Sequence, residues 1–308
     1  MHDNTEKVET YCLGRHIISV PEAFHLSPIV TGIFRAEGAS VKDPAFDIVV
    51  QFDEMTQSKF DLLVQKRRVE LSEAEEDSIK VLRLDKTLSN TSTLFRVQEI
   101  GESYFSELYI LRGRAMVKVR LESFRNSFLE AEKKILELAN EIRVQDSFVE
   151  AKLSGFCLGP VIFSSKLSKE YANYLFRDDH GLTLEIEIDT YARDAPIPLI
   201  ARMSNQESLL NKFKVNHTVL RARERTVADM QADEWMGVGY LAEADQRKLK
   251  FALETRRNVP SISRPSLSIT FDSAQSLTDG TPTKTEISNE EAIELWDRIV
   301  NSVRFHHN

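Results

Sequence analysis

Seven histidines and the acidic run RDDHG, Arg177 to Gly181, are the residues of this sequence best suited to chemistry. Asp178 and Asp179 place carboxylates beside the His180 imidazole, the groups that proton transfer or metal binding would need. The same five residues are also a turn signal, since Asp and Gly reverse a chain without help. Turn chemistry is the favoured reading. The other histidines are scattered: His2 in a polar tail, His16 and His25 beside the first strand, His217 opening a strand, and His306 and His307 past the last helix. No H-E-x-x-H, G-x-S-x-G, Walker or G-x-G-x-x-G pattern occurs. GVG at Gly237 to Gly239 reads as strand or bulge. The basic runs Lys66–Arg68 and Arg221–Arg225 read as solvated faces of a helix and a strand rather than anion sites. No catalytic set, metal site or cofactor is expected.

The elements around these residues are legible from their periods. Phe46, Ile48, Val50 and Phe52 alternate with Asp47, Val49 and Gln51, which predicts a strand. Ala115, Val117, Val119 and Leu121 do the same against Met116, Lys118, Arg120 and Glu122, as does LTLEIEID from Leu182. Further strands are predicted around Tyr11–Val20, Ile29–Ala36, Ile79–Asp85, Leu94–Ile100, Phe105–Leu111, Val219–Thr226, Met236–Ala242, Lys248–Thr255 and Leu267–Phe271. Helices are predicted near Thr56–Glu70, from Ser127, from Ser204 and from Ser288. Each of those three serines opens an S-x-x-E capping box. Trp296 falls on the apolar stripe of the last helix and reads as core, whereas Trp235 in ADEWMG is open between core and surface. Strict alternation implies one wet face per sheet, hence antiparallel sheets with helices on one side.

Much of this pattern occurs twice. SFLEAEKKILELANEIRV, from Ser127, aligns without a gap to SNEEAIELWDRIVNSVRF, from Ser288. YCLGRHII, from Tyr11, resembles FCLGPVIF, from Phe156, and KVLRLDKT, from Lys80, resembles TVLRARERT, from Thr218. Three landmarks in the same order predict an internal duplication. The fold class expected is α+β, with two similar domains at 1–148 and 149–308, each an antiparallel β-sheet with helices packed on one face.

The 308 residues suit two domains. The net charge of −8, from 40 basic and 48 acidic residues, argues against nucleic acid as the main partner. No apolar run is long enough to span a membrane. The beginning, MHDNTEKVET, is polar, which fits a cytoplasmic protein or an exported one whose leader has been removed. Two cysteines, Cys12 and Cys157, lack zinc spacing and read as small buried hydrophobes.

As an ordered set, CLGRHIISVP (from Cys12), GFCLG (from Gly155), FALETRR (from Phe251), PSLSITF (from Pro265) and ELWDRIVNSVR (from Glu294) resemble the immunity proteins that protect bacteria from type VI secretion lipase effectors of the fourth lipase class. The resemblance implies a non-enzymatic partner of a secreted lipase or phospholipase. Such a protein acts in the periplasm by covering the entrance or lid of the lipase active site. In that oxidising compartment Cys12 and Cys157, at equivalent places in the two repeats, can bridge; paired and free thiols both stay open. Partner contacts are assigned to exposed loops: Glu243, Asp245 and Gln246 in one, Asp279 and Thr281 in a polar loop without a counterpart in the first repeat, and Glu37 to Pro44 as a further candidate. The rival readings are an envelope lipid- or small-molecule-binding protein, which needs a large apolar cavity, and a hydrolase built on scattered carboxylates.

Overall fold

The computed structural model describes residues 7–39, 43–76, 80–145, 155–164, 167–191, 197–212, 217–241, 246–255, 260–273 and 287–306. The chain forms two compact units that do not follow the sequence division at 148. A central unit comprises Pro28–Ala172, and a terminal unit combines Met1–Ser27 with Asn173–His307.

The chain starts in the terminal unit. Strands β1 (Val8–Leu13) and β2 (His16–Pro21) form a hairpin, followed by the short β3 (His25–Leu26). The stretch expected as one strand over Tyr11–Val20 is therefore two. Gly14 allows the reversal, sitting at φ 58°, a left-handed conformation that a side chain resists.

The central unit runs β4 (Ile29–Ala36), β5 (Phe46–Gln51), α1 (Gln57–Glu76), β6 (Val81–Ser89), β7 (Ser92–Gln98), β8 (Ser103–Arg112) and β9 (Ala115–Phe124). A 3₁₀ turn then leads into α2 (Phe128–Asn140) and β10 (Ile142–Val144). Its sheet is antiparallel in the order β4-β5-β9-β8-β7-β6. A hairpin of β11 (Phe156–Leu158) and β12 (Val161–Phe163) takes β10 as its third strand. This ribbon packs on β4, where the Phe34 ring lies 4.9 Å from those of Phe156 and Phe163.

The junction between units falls inside β13 (Leu167–Arg177), a strand that no alternation in the sequence predicts. The terminal unit continues with β14 (Leu182–Asp189), α3 (Leu199–Lys212), β15 (His217–Val227), β16 (Met230–Leu241), β17 (Gln246–Thr255), β18 (Ser266–Ser273), α4 (Asn289–Ser302) and β19 (Arg304–Phe305). The strand order here is β13-β14-β18-β17-β16-β15. The β1–β2 hairpin takes β19 as its third strand. It packs on β13 through the Tyr11 and Phe176 rings, 4.9 Å apart, and through the Gly14 N–H, which donates to the Tyr174 hydroxyl at 2.7 Å.

The sequence expectation of helices on one face of each sheet is overturned. In β7, Phe95 and Val97 join Phe60, Val64 and Leu71 of α1 in one core. Their neighbour Arg96 points the other way, to Glu132 of α2. In β8, Glu107 meets Arg67 of α1 while Ser106 meets Glu132 of α2. Successive strand residues face opposite sides, so α1 and α2 cover opposite faces. The terminal unit repeats this. Trp235 packs with Leu199 of α3, while its neighbour Glu234 bonds Trp296 of α4. The polar row on β9 suggested a wet face because α1 lies mainly over β6 and β8; of that row, Met116 joins the α1 core. There Arg120 lies over the Phe105 ring, 4.1 Å from its centroid. The class is α+β with mainly antiparallel sheets, and each sheet is a middle layer.

Each helix contributes an apolar stripe. α2 buries Ala131, Ile135, Leu138 and Ala139; α4 buries Ala292, Leu295, Trp296, Ile299 and Val300. Each large aliphatic side chain removed from water contributes about 1.5–3 kcal/mol. The caps differ. Ser288 accepts from the Glu291 N–H at 3.1 Å, and Glu291 accepts from the Ser288 N–H at 2.9 Å, completing the expected box. Ser127 makes no side-chain cap bond to α2. Its hydroxyl turns back to the Phe124 carbonyl, and Glu130 pairs with Lys134. Ser204 is not a cap: α3 begins at Leu199, and Ser204 donates to the Ile200 carbonyl from within the helix.

Candidate functional site

Residues suited to chemistry are absorbed into structure. His180 N–H and Leu182 N–H both donate to Asp178 Oδ1, at 3.0 and 2.6 Å. RDDHG is thus the turn before β14, and partial burial raises the Asp178 carboxyl despite those two donors. His16 is buried with neither ring nitrogen bonded among the described residues, and it stacks edge-on against Phe305. Burial holds its pKa down, at about 4, so it is neutral at ordinary pH. GVG lies inside β16, where Gly237 makes room for its neighbour. A Cβ there would sit 2.2 Å from the Trp235 ring. Among the described residues, no cluster of His, Cys, Asp and Glu could hold a metal ion.

The arginines of the two basic runs are ion-paired, while Lys66 and Arg223 remain exposed. Arg221, Arg223 and Arg225, alternate residues of β15, converge on Glu234 of β16, whose side chain has no exposure. Arg221 also grips Asp297 of α4 with both terminal nitrogens, at 2.9 and 2.6 Å. Trp296 Nε1 donates to Glu234 at 2.9 Å, and Arg225 reaches Asn301. Burial by itself would raise the Glu234 carboxyl. The Trp296 and Arg225 hydrogen bonds and the surrounding positive charge outweigh it and hold it below the usual range. Asp297 is likewise held low against its burial, by Arg221 first. In the central unit Arg67 clamps Glu107, Arg68 clamps Asp85 and Arg96 clamps Glu132, each through two nitrogens. These are fixed latches between helix and strand. Sequence reading missed them. The signal was R-A-R-E-R itself: three arginines at period two lie on one strand face, which calls for a facing acid.

The loop residues assigned to the partner fall largely outside the described residues. Glu243, Asp245, Asp279 and Thr281 are there, and so are 40–42 within the Glu37–Pro44 loop. Gln246 begins β17, opposite Leu241. Cys12 and Cys157 are both buried, each in the first strand of its hairpin and each opposite an isoleucine, Ile17 and Ile162.

The central unit carries an open furrow along α2. One hollow, of about 280 Å³, lies between the end of β9, the residues before β5 and the first turns of α2; it has Phe124 and Glu130 in its wall. A second, of about 510 Å³, continues along the helix to Glu141 and Leu167. Ala36, Phe46 and Lys134 line both. Neither is the deep apolar cavity that a lipid-binding protein would need. No helix among the described residues is long and apolar enough to cross a membrane.

Helix–strand latches and open furrows are the features that the described residues present. Solved structures share the whole fold. The immunity protein TplEi of the type VI secretion system of Pseudomonas aeruginosa superposes with a TM-score of 0.70 when ligand-free, at 18% identity over 99% of this chain and 98% of that one. Its complex with a peptide called "L" gives a TM-score of 0.68, at 19% identity over 99% of each chain. A Tle4–Tli4 complex gives 0.70, at 19% identity over 99% of each chain. No curated protein sequence matches. Residues 152–308 match the family profile "Tle cognate immunity protein 4 C-terminal domain". The chain belongs to this family of immunity proteins.

Proposed function

We propose that this protein binds a type VI secretion lipase effector in the periplasm and blocks it by covering its active-site entrance or lid. Family membership over residues 152–308 carries the reading. A solved complex of Tle4 with Tli4 has the same fold.

The two units are descendants of one ancestral domain. Their sheets have the same order, first-second-sixth-fifth-fourth-third, with a helix after the second strand and another after the sixth. Each ends in a short strand that completes a hairpin containing one of the sequence's CLG segments. In this reading the hairpins are exchanged. The one preceding the first copy completes the second, and the one preceding the second completes the first. Both units engage the effector together, so that the second contact forms at high effective concentration. Cys12 and Cys157 are bonded to each other. Each is buried, neither is a free thiol, and the periplasm favours the oxidised form.

The test is titration of the purified effector lipase, acting on phospholipid vesicles, with this protein. Stoichiometric loss of hydrolysis is expected. Undiminished hydrolysis at molar excess, or hydrolysis by this protein alone, overturns the proposal. Charge reversals on one unit at a time, in the full chain, test joint engagement, and each set should weaken inhibition.

A further inference from the structure

Three large apolar side chains stand clear of the surface at one end of the central unit. Ile100 is 82% exposed, Leu129 63% and Phe124 58%. Scattered apolar residues need no explanation, but a group of them on neighbouring turns marks a contact site. Ile100 tips the β7–β8 turn, a position that Asn, Asp or Gly fills without cost and where a branched aliphatic gains nothing from the fold. The Ser103 N–H donates to the Ile100 carbonyl at 3.1 Å, and Gly101, at φ 59°, lets the turn close. Ser103 pairs with Phe124 across β8 and β9, and the Arg125 N–H donates to the Glu102 carbonyl at 2.7 Å, which fixes the end of β9 beside this turn. Leu129 stands in the first turn of α2, where the ring of its neighbour Phe128 lies 5.3 Å from that of Tyr104 in β8. The Arg125 guanidinium covers one side of the Phe124 ring, 5.5 Å from its centroid; Ile100 and Leu129 are the more open pair. The charges around them cancel: Glu99 pairs with Lys80 at 3.2 Å, Glu102 with Arg125 at 3.0 Å and Glu130 with Lys134 at 2.9 Å.

We infer that this tip, Ile100 with Leu129 and Phe124, is an apolar anchor that seats in the recess through which the effector lipase takes up acyl chains. The inference rests on the proposed function and adds which residues make one contact and the chemistry they meet. The tip is convex, apolar and locally neutral, so its complement is an apolar recess, and an enzyme that takes up acyl chains must have one. A membrane is a poorer match. Surfaces that settle on anionic lipid carry free Lys and Arg around their apolar residues, and here Lys80, Arg125 and Lys134 each face an acid. A second copy of this chain is a poorer match too, because a stable interface takes about 800 Å² from each partner, far more than three side chains supply. Three side chains do suffice for the buried centre of a larger interface, where most of the binding energy gathers.

The experiment uses the full chain and a catalytically inactive form of the effector lipase, with binding followed by calorimetry at low and high salt. I100N/L129Q removes the apolar tip with residues that suit a turn and a helix. I100L/L129M keeps the tip apolar, and Leu62→Gln, at a comparably exposed aliphatic on α1, is the control. Circular dichroism melts confirm that each is folded. I100N/L129Q should bind at least tenfold more weakly at both salt concentrations, whereas I100L/L129M and Leu62→Gln should match wild type. A lysophospholipid below its micellar concentration should weaken wild-type binding by competing for the recess; if it leaves that binding unchanged, the tip does not seat there and the inference falls. Wild-type affinity in I100N/L129Q, while the wild-type protein binds, also overturns this inference and leaves the proposed function standing. So does a variant that loses only adsorption to effector-free anionic vesicles, or only self-association in sedimentation. Failure of the wild-type protein to bind overturns both.

Discussion

Trp296 of α4 donates its indole N–H to Glu234 of β16 at 2.9 Å, and beside them Arg225 bonds both Glu234 and Asp297. The largest fully buried side chain of the terminal unit is thus tied to its most enclosed charge. Five charged groups, three positive and two negative, sit where helix meets sheet. Their cohesion depends on every member being present.

Removing Glu234 should therefore cost far more than removing a surface acid. Glu234→Ala leaves Arg221 and Arg225 facing each other and Trp296 without an acceptor, at a cost of about 3–5 kcal/mol. Glu234→Gln keeps an acceptor for the indole and should fall between that and wild type. Urea unfolding followed by tryptophan fluorescence measures both. A loss under 1 kcal/mol for the alanine variant would show that the latch is ornamental.

Acid should weaken the protein before its carboxylates titrate. His16 has a folded pKa of about 4 against an ordinary value of 6.5, so the unfolded chain binds the extra proton between those values. Stability from this residue is complete above pH 6.5, falls as pH drops towards 4, and is then exhausted; the total is about 3 kcal/mol. Glu234 and Asp297 are held low, so their contribution is lost only in more acidic solution. Melting temperatures from pH 8 to 4.5 should slope downward, and His16→Phe, which keeps an aromatic ring beside Phe305, should flatten the upper part.

The proposed Cys12–Cys157 bond would close a loop of about 145 residues, for which chain entropy alone predicts about 4–5 kcal/mol. Denatured but unreduced protein should show no reactive thiol, and two after reduction. Reduction should lower the melting temperature; if it leaves stability unchanged, the bond is not what joins these residues.

The box that forms at α4 and the one that does not form at α2 should respond differently. Ser288→Ala removes a formed capping box and should destabilise by about 1 kcal/mol. Glu130→Ala removes only a surface pair with Lys134 and should leave stability almost unchanged. Thermal melts of the two variants check this.

The caps show where reading the sequence succeeds and where it stops. S-x-x-E names a box at Ser288, Ser127 and Ser204 alike, but only the first forms. Arg125, at φ 55°, turns the chain so that Ser127 faces backwards. Pro198 precedes the α3 start at Leu199, where its fixed φ suits a first turn. Local alternation revealed most strands because it reports which side of a strand is apolar. It cannot tell a wet face from one covered by a helix rich in Arg and Glu, such as α1, and so it places all the helices on one face. β13 escaped because Tyr, Lys and Glu interrupt its apolar positions. The furrow draws on β4, β9 and α2, elements separated by up to a hundred residues, and nothing local marks them as neighbours.

The pairing of β19 with β2 sets the order in which this molecule can be completed. Residues 28–172 hold every strand of the central sheet and its ribbon, so that half can close while synthesis is still under way. The opening hairpin stays unpaired on one edge until Arg304 and Phe305 join it. Removing those two residues should therefore leave β2 exposed at the sheet edge, a template for pairing with another chain.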